Sequence, residues 1–183
     1  MFELNPDQRR TLLDIARQSI ASVLGGRAPE WRAEDFDPVL REPAGAFVTL
    51  NTPDGDLRGC IGSIQAVHPL YQAVASSAIA AAFRDPRFPP LHPGELEQLH
   101  LEISVMGPIE VVTNIEEIVV GRDGLIMSQG RNAGLLLPQV ASEYRWDRET
   151  FLIQTCLKAG LSRNAWRSKD CRIEKFSALV FGE

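Results

Sequence analysis

In the run Leu57-Arg58-Gly59-Cys60-Ile61-Gly62 a cysteine stands two residues from an arginine, and glycines follow both the arginine and the isoleucine. A thiolate attacks electrophiles or binds metal, and a guanidinium within a few ångströms favours it over the thiol. A strand repeats every two residues, so regular alternation puts Arg58, Cys60 and Gly62 on one face. Glycine weakens a strand interior unless it marks a bulge or lets a backbone or ligand come close. Cys60 and Arg58 are therefore candidate catalytic residues, with Gly59 and Gly62 beside them as ligand-approach positions. The structural alternative makes Cys60 a small buried hydrophobe and Arg58 a hairpin salt-bridge partner.

Three more sets of residues invite the same comparison. In Arg84-Asp85-Pro86-Arg87-Phe88 the proline stiffens the chain, so Asp85 and Arg87 are candidates for orienting a polar ligand at a cleft rim, or else form an ion pair that fixes a crossing. Lys158, just before Gly160, is a candidate pocket lysine, or complements the negative end of a helix. Trp146 and Trp166 offer stacking surfaces, or anchor a core. His68, His92 and His100 share no zinc spacing, so no metal is expected.

Standard catalytic signatures are missing. The chain has no Walker A loop, no Gly-x-Ser-x-Gly elbow, no GxGxxG after a strand, no His-Glu-x-x-His and no radical SAM cysteine triad. The motifs thus call for no cofactor. With 19 Lys+Arg against 24 Asp+Glu and a net charge of −5, the chain of 183 residues has no basic field for duplex nucleic acid or anionic membrane. It carries neither a leader pattern nor an apolar run of membrane-spanning length, and its three cysteines show no Cys-x-x-Cys pairing. The expectation is a cytoplasmic protein with reduced thiols and one domain over residues 1–183.

The elements that must position these residues are readable in outline. Asn5-Pro6 opens an amphipathic helix that Gly25-Gly26 ends. Residues 27–43 form an irregular excursion. Strands over 44–50 and from 57 to about 65 flank a turn at Asn51–Asp56, and Pro69 opens a small-residue helix to about Phe83. Residues 100–112 read as one or two strands broken at Gly107-Pro108, and residues 114–119 as a short capped helix. A second hairpin turns at Gly130-Arg131-Asn132, and Pro138 starts another helix. A further helix runs from Asp147 to Ala159, and residues 171–181 form a last strand. A hairpin followed by a proline-started helix thus occurs twice, which suggests an ancient duplication. The mixture indicates an α+β fold with a mixed, mainly antiparallel sheet and packed helices.

The run Leu57–Gly62, with Asp85-Pro86-Arg87-Phe88-Pro89-Pro90-Leu91, Leu101–Val105, Leu135–Val140 and Lys158-Ala159-Gly160-Leu161, resembles the AMMECR1 domain family in order and over nearly the whole chain. The resemblance implies the same fold class, with a larger and a smaller lobe. Single-domain members are named protein A of the AmmeMemoRadiSam system, because they occur beside a Memo-like protein and a radical SAM protein. It therefore implies those two partners, and a radical cluster supplied by one of them. Three functions follow as expectations: a cysteine-based enzyme or enzyme-system component with a small-molecule cleft at the motif, a ligand- or nucleotide-binding module, and an accessory docking protein.

Overall fold

The computed structural model describes residues 3–183. Their packing divides into a larger unit, residues 3–106 with 179–183, and a smaller one, residues 107–178. Six strands form one mainly antiparallel sheet in the order β2-β1-β3-β6-β4-β5: β1 Ala46–Asn51, β2 Leu57–Ser63, β3 His100–Val111, β4 Asp123–Gln129, β5 Asn132–Leu136 and β6 Arg172–Gly182. The α+β class is as the sequence indicates. Both hairpins end on an outer strand, and each is followed by a helix.

In the larger unit, α1 (Pro6–Leu24) begins with a reciprocal cap. Asn5 Oδ1 accepts from the Gln8 N–H while Gln8 Oε1 accepts from the Asn5 N–H, which satisfies two donors that a helix start leaves bare. α2 (Leu70–Phe83) buries Leu70, Tyr71, Val74, Ala75, Ser77, Ala78, Ala81 and Ala82 against the β1–β2 hairpin and α1. Its alanines bring the backbone close, and Gly59 completes the approach, because a side-chain carbon there would run into the Ala81 carbonyl. The excursion at residues 27–43 contains two short 3-10 turns, Ala33–Asp35 and Pro38–Arg41. It is held by Phe36 against Tyr71 and by Trp31 Nε1 donating to Ser19 Oγ at 3.2 Å.

The smaller unit has its own core. Leu125 and Met127 of β4 and Ile173 of β6 pack with Phe151, Leu152 and Cys156 of α4 (Arg148–Lys158) and with Ala141 of α3 (Pro138–Glu143). Asp147 caps α4 by accepting from the Thr150 N–H at 2.8 Å, and Gly160, at φ +71°, ends it.

Two expectations are corrected. β3 runs unbroken through Gly107-Pro108, because its pairing with β1 stops at Val105. Beyond that point one side of β3 needs no ladder donor, and a proline is tolerated. The capped segment after Asn114 is a single 3-10 turn, Ile115–Glu117, rather than an α-helix, with Asn114 accepting from the Glu116 N–H at 3.0 Å.

The Gly59 contact is directly testable. Gly59→Ala should lower stability by about 2 kcal/mol, since a methyl forced into a backbone contact must move the helix or the strand. Chemical denaturation measures this; an unchanged midpoint would contradict the packing described for α2.

Candidate functional site

β2 is an outer strand, and its centre is fixed from three directions. Cys60 stands opposite Thr49 on β1, and Thr49 stands opposite Glu102 on β3, so these three side chains form a row on one face of the sheet. The Cys60 N–H donates to Asp85 Oδ2 at 2.9 Å, and its carbonyl accepts from Arg87 Nη2 at 3.2 Å. Both main-chain groups therefore point away from β1. Cys60 and Thr49 form the closer, non-hydrogen-bonded kind of antiparallel pair. That closeness lets the Thr49 hydroxyl reach Cys60 Sγ at 3.3 Å. The cysteine is half-buried.

Asp85 is the centre of this arrangement. Its side chain is 1% exposed, and it accepts four hydrogen bonds in all: Oδ1 from the Arg87 N–H at 3.1 Å and Nε at 2.9 Å, Oδ2 from Arg87 Nη2 at 2.7 Å and from the Cys60 N–H. The Arg87 hydrogen bond lowers its pKa most, burial opposes this, and the main-chain donors of Cys60 and Arg87 add to the lowering. The carboxyl is therefore held well below the usual carboxylate range, so the charged bonds outweigh the desolvation. Local sequence delivers the group here: α2 ends at Phe83, Pro86 prevents a further helical turn, and Asp85 falls beside the outer strand.

Arg58 is placed differently from what regular alternation predicts. Leu50 pairs with Gly59 but Asn51 pairs with Leu57, so Arg58 is the extra residue of a β-bulge. Its guanidinium lies on Glu95, with Nε to Oε1 at 3.2 Å and Nη2 to Oε2 at 3.4 Å, while Nη1 is buried without a partner. Glu95 in turn accepts from the His92 N–H at 2.6 Å. That bond and Arg58 lower its carboxyl pKa against the opposing effect of burial. The cation hydrogen-bonded to Cys60 is thus Arg87, and it bonds the carbonyl.

The glycines have internal explanations. Gly59 admits α2, and a side-chain carbon on Gly62 would meet the Ala46 carbonyl and lie 2.5 Å from the Phe47 ring. Gly62 also borders a cleft of about 410 Å³ between the β1–β2 hairpin and α2, lined by Ile61, Ser63, Ser76, Ser77 and Arg84 among others. Cys60, Arg58, Asp85 and Arg87 do not line it. Lys158 belongs to the smaller unit, exposed in the last turn of α4. Trp146 and Trp166 are packed against the smaller unit's core. Among the described residues no group of three His, Cys, Asp or Glu could hold a metal ion, and no helix is long and apolar enough to cross a membrane.

Thr49, Glu102, Glu95 and Arg84 are the neighbours that sequence reading missed. Thr49 stands opposite Cys60 only because the bulge at Arg58 shifts the register; a regular count back from the turn pairs Cys60 with Val48 instead. Glu95 and Glu102 arrive through the tertiary fold and leave no local signal.

The AMMECR1 family model matches residues 13–181. This chain belongs to the AMMECR1 family. A relative from Thermococcus gammatolerans is 44% identical, covering 100% of this chain and 94% of its own. One from Methanothermobacter thermautotrophicus is 43% identical, covering 98% and 96%. The crystal structure of an uncharacterized protein from Pyrococcus horikoshii superposes with a TM-score of 0.86 at 43% identity, covering 94% of this chain and 90% of that one. The AMMECR1 fold of this chain therefore carries the Cys60 clamp on an outer strand of its larger unit.

The clamp has a defined pH signature. Because the folded-state pKa of Asp85 is depressed, its contribution is present above the unfolded value of about 3.9 and is lost as pH falls through the folded one. Asp85→Asn should cost about 2–3 kcal/mol at neutral pH, with the gap from the wild type constant down to about pH 5 and closing below about pH 4. Urea titrations of both proteins across that range measure it; a gap that widens in acid would overturn the assignment.

Proposed function

We propose that the larger unit carries a thiol-centred small-molecule site in which Cys60 is the nucleophile. The observation that carries this reading is the clamp itself. A buried carboxylate and its arginine partner hold both main-chain groups of one half-exposed cysteine, while a threonine hydroxyl addresses its sulfur. Fixing the main chain on both sides pre-orients the sulfur, which is what nucleophilic catalysis requires of its attacking atom. Thr49, as a donor to sulfur, stabilises the thiolate, and Glu102 supplies a carboxylate at the next position of the row. Arg58 and Glu95 act as supports for the bulged start of β2. Asp85 and Arg87 position Cys60, with the half-exposed Arg87 head available to an anionic substrate group. In this reading the single-domain protein serves an AmmeMemoRadiSam-type system, and its partners are a Memo-like protein and a radical SAM protein. Support for those partners is the family resemblance.

A second reading is favoured by the 410 Å³ cleft, whose walls include Gly62, two α2 serines and the exposed Arg84 but not Cys60. There the larger unit is a non-catalytic ligand- or nucleotide-binding module. Arg84 would be its anion contact, and Cys60 would serve only the strand.

Alkylation of the folded protein across pH, read by peptide mass spectrometry, tests the first reading. Cys60 should label in the native state, and Thr49→Val should slow that labelling several-fold. Labelling of Cys60 only after unfolding would leave the second reading. That reading expects Arg84→Ala, but not Cys60→Ser, to abolish stabilisation by a bound anionic metabolite.

A further inference from the structure

Beside the start of β4 the smaller unit holds a cavity of about 260 Å³ whose charged walls are only partly paired. Asp123 and Ser177 stand directly opposite each other on β4 and β6, and alternation along β6 puts Lys175 on the same face. Pro108 and Glu110 of β3 and the turn residue Arg122 complete the wall. Asp123 is satisfied: its side chain is 5% exposed, and it accepts from Arg122 Nε at 2.7 Å, from Arg122 Nη2 at 2.8 Å and from the Val119 N–H at 2.9 Å. The donors around it are not. The Lys175 side chain is 16% exposed, and its Nζ lies 3.9 Å from Glu110 Oε2 and 3.8 Å from Glu117 Oε2, too far for a hydrogen bond to either. An ammonium this enclosed ordinarily has hydrogen-bond partners. Ser177 Oγ and Arg122 Nη1 also make no hydrogen bond among the described residues. Gly107 leaves room for that hydroxyl, since a side-chain carbon there would run into Ser177 Oγ.

We propose that this cavity binds a small zwitterionic amino acid, with its carboxylate on Lys175, Ser177 and Arg122 and its ammonium on Glu110. The charges select this class of ligand. Asp123, Glu110 and Glu117 face Arg122 and Lys175, so the negative sign is in excess and a simple anion is disfavoured. A simple cation would be met by the ammonium of Lys175 and the guanidinium of Arg122. A molecule bearing both charges pairs each with its opposite. Asp123, with its bonds already made, holds Arg122 and offers the ligand nothing. The Glu110 side chain is 62% exposed and makes no hydrogen bond, so it is free to turn onto an amine at the cavity mouth. The volume lies below the roughly 300–1,000 Å³ of pockets that take drug-sized ligands, and it suits a short side chain resting on Pro108. None of these residues takes part in the Cys60 clamp, and the proposal is independent of the chemistry assigned there.

The experiment titrates the isotope-labelled full-length protein with the ordinary amino acids, one at a time, and follows the amide signals by NMR. The expected result is a saturable shift, produced by at least one amino acid with a short side chain, at Glu110, Arg122, Asp123, Lys175 and Ser177. The N-acetyl and the carboxamide derivatives of that amino acid each lose one charge and should bind about tenfold more weakly or worse. Lys175→Met keeps the packing of the stem and should weaken binding by a similar factor. Glu110→Gln, at the exposed mouth, should do the same and serves where Lys175→Met fails to fold. Three results would overturn the proposal: no saturable shift at these residues with any amino acid, an N-acetyl derivative that binds as tightly as its parent and so marks an anion site, or unchanged affinity in Glu110→Gln.

Discussion

The larger unit depends on how closely α2 can approach the β1–β2 hairpin. Small residues along the helix and the absence of a side chain at Gly59 let backbone meet backbone at Ala81. That approach sets where the helix ends. Its end sets where Asp85 falls, and Asp85 sets the main chain of Cys60. A bulkier residue at Gly59 would therefore act well beyond its own contacts, because it would lift the helix that delivers the carboxylate. The site's precision is inherited from packing, and the polar bonds only fasten what the packing has already brought together.

Asp85 also illustrates how a buried charge is made tolerable. Removing a carboxylate from water is costly, and a single partner rarely repays it. Here the arginine is half-exposed and keeps part of its hydration, while the carboxylate is enclosed and meets several donors. The smaller unit repeats the device at Asp123. Burial pushes that carboxyl up, but Arg122 and the Val119 N–H more than reverse the effect. In both places an aspartate enclosed in protein is paired with an arginine whose head reaches solvent.

Much of this was legible in the chain because the deciding signals are local. Asn5-Pro6, Asp147 and Gly160 mark helix ends by capping chemistry, and the Pro-Asp-Gly turn at residues 53–55 marks the first hairpin. The proline at 108 misled because its meaning depends on whether a neighbouring strand is present, which is a property of the sheet. Arg58 misled for a related reason. One inserted residue ends the period-two rule, and nothing at Leu57–Gly59 announces a bulge rather than a regular strand. Gly59 and Gly62, which the sequence offers as ligand-approach positions, are met closely by the protein's own α2 and β1, respectively. Glu95 and Glu102 reach the site through the tertiary fold, and no local pattern announces them.

The position of the clamp on β2 also bears on colloidal behaviour. An outer strand offers unpaired amide and carbonyl groups that another chain can zip onto, and a flat, apolar margin of this kind is a common seed for aggregation. At Cys60 both groups are already occupied by Asp85 and Arg87, and the bulge at Arg58 twists the strand just before them. An incoming strand would find the middle of its template taken by side chains. The ion pair that orients the cysteine thus also keeps neighbouring molecules from adding themselves to the sheet.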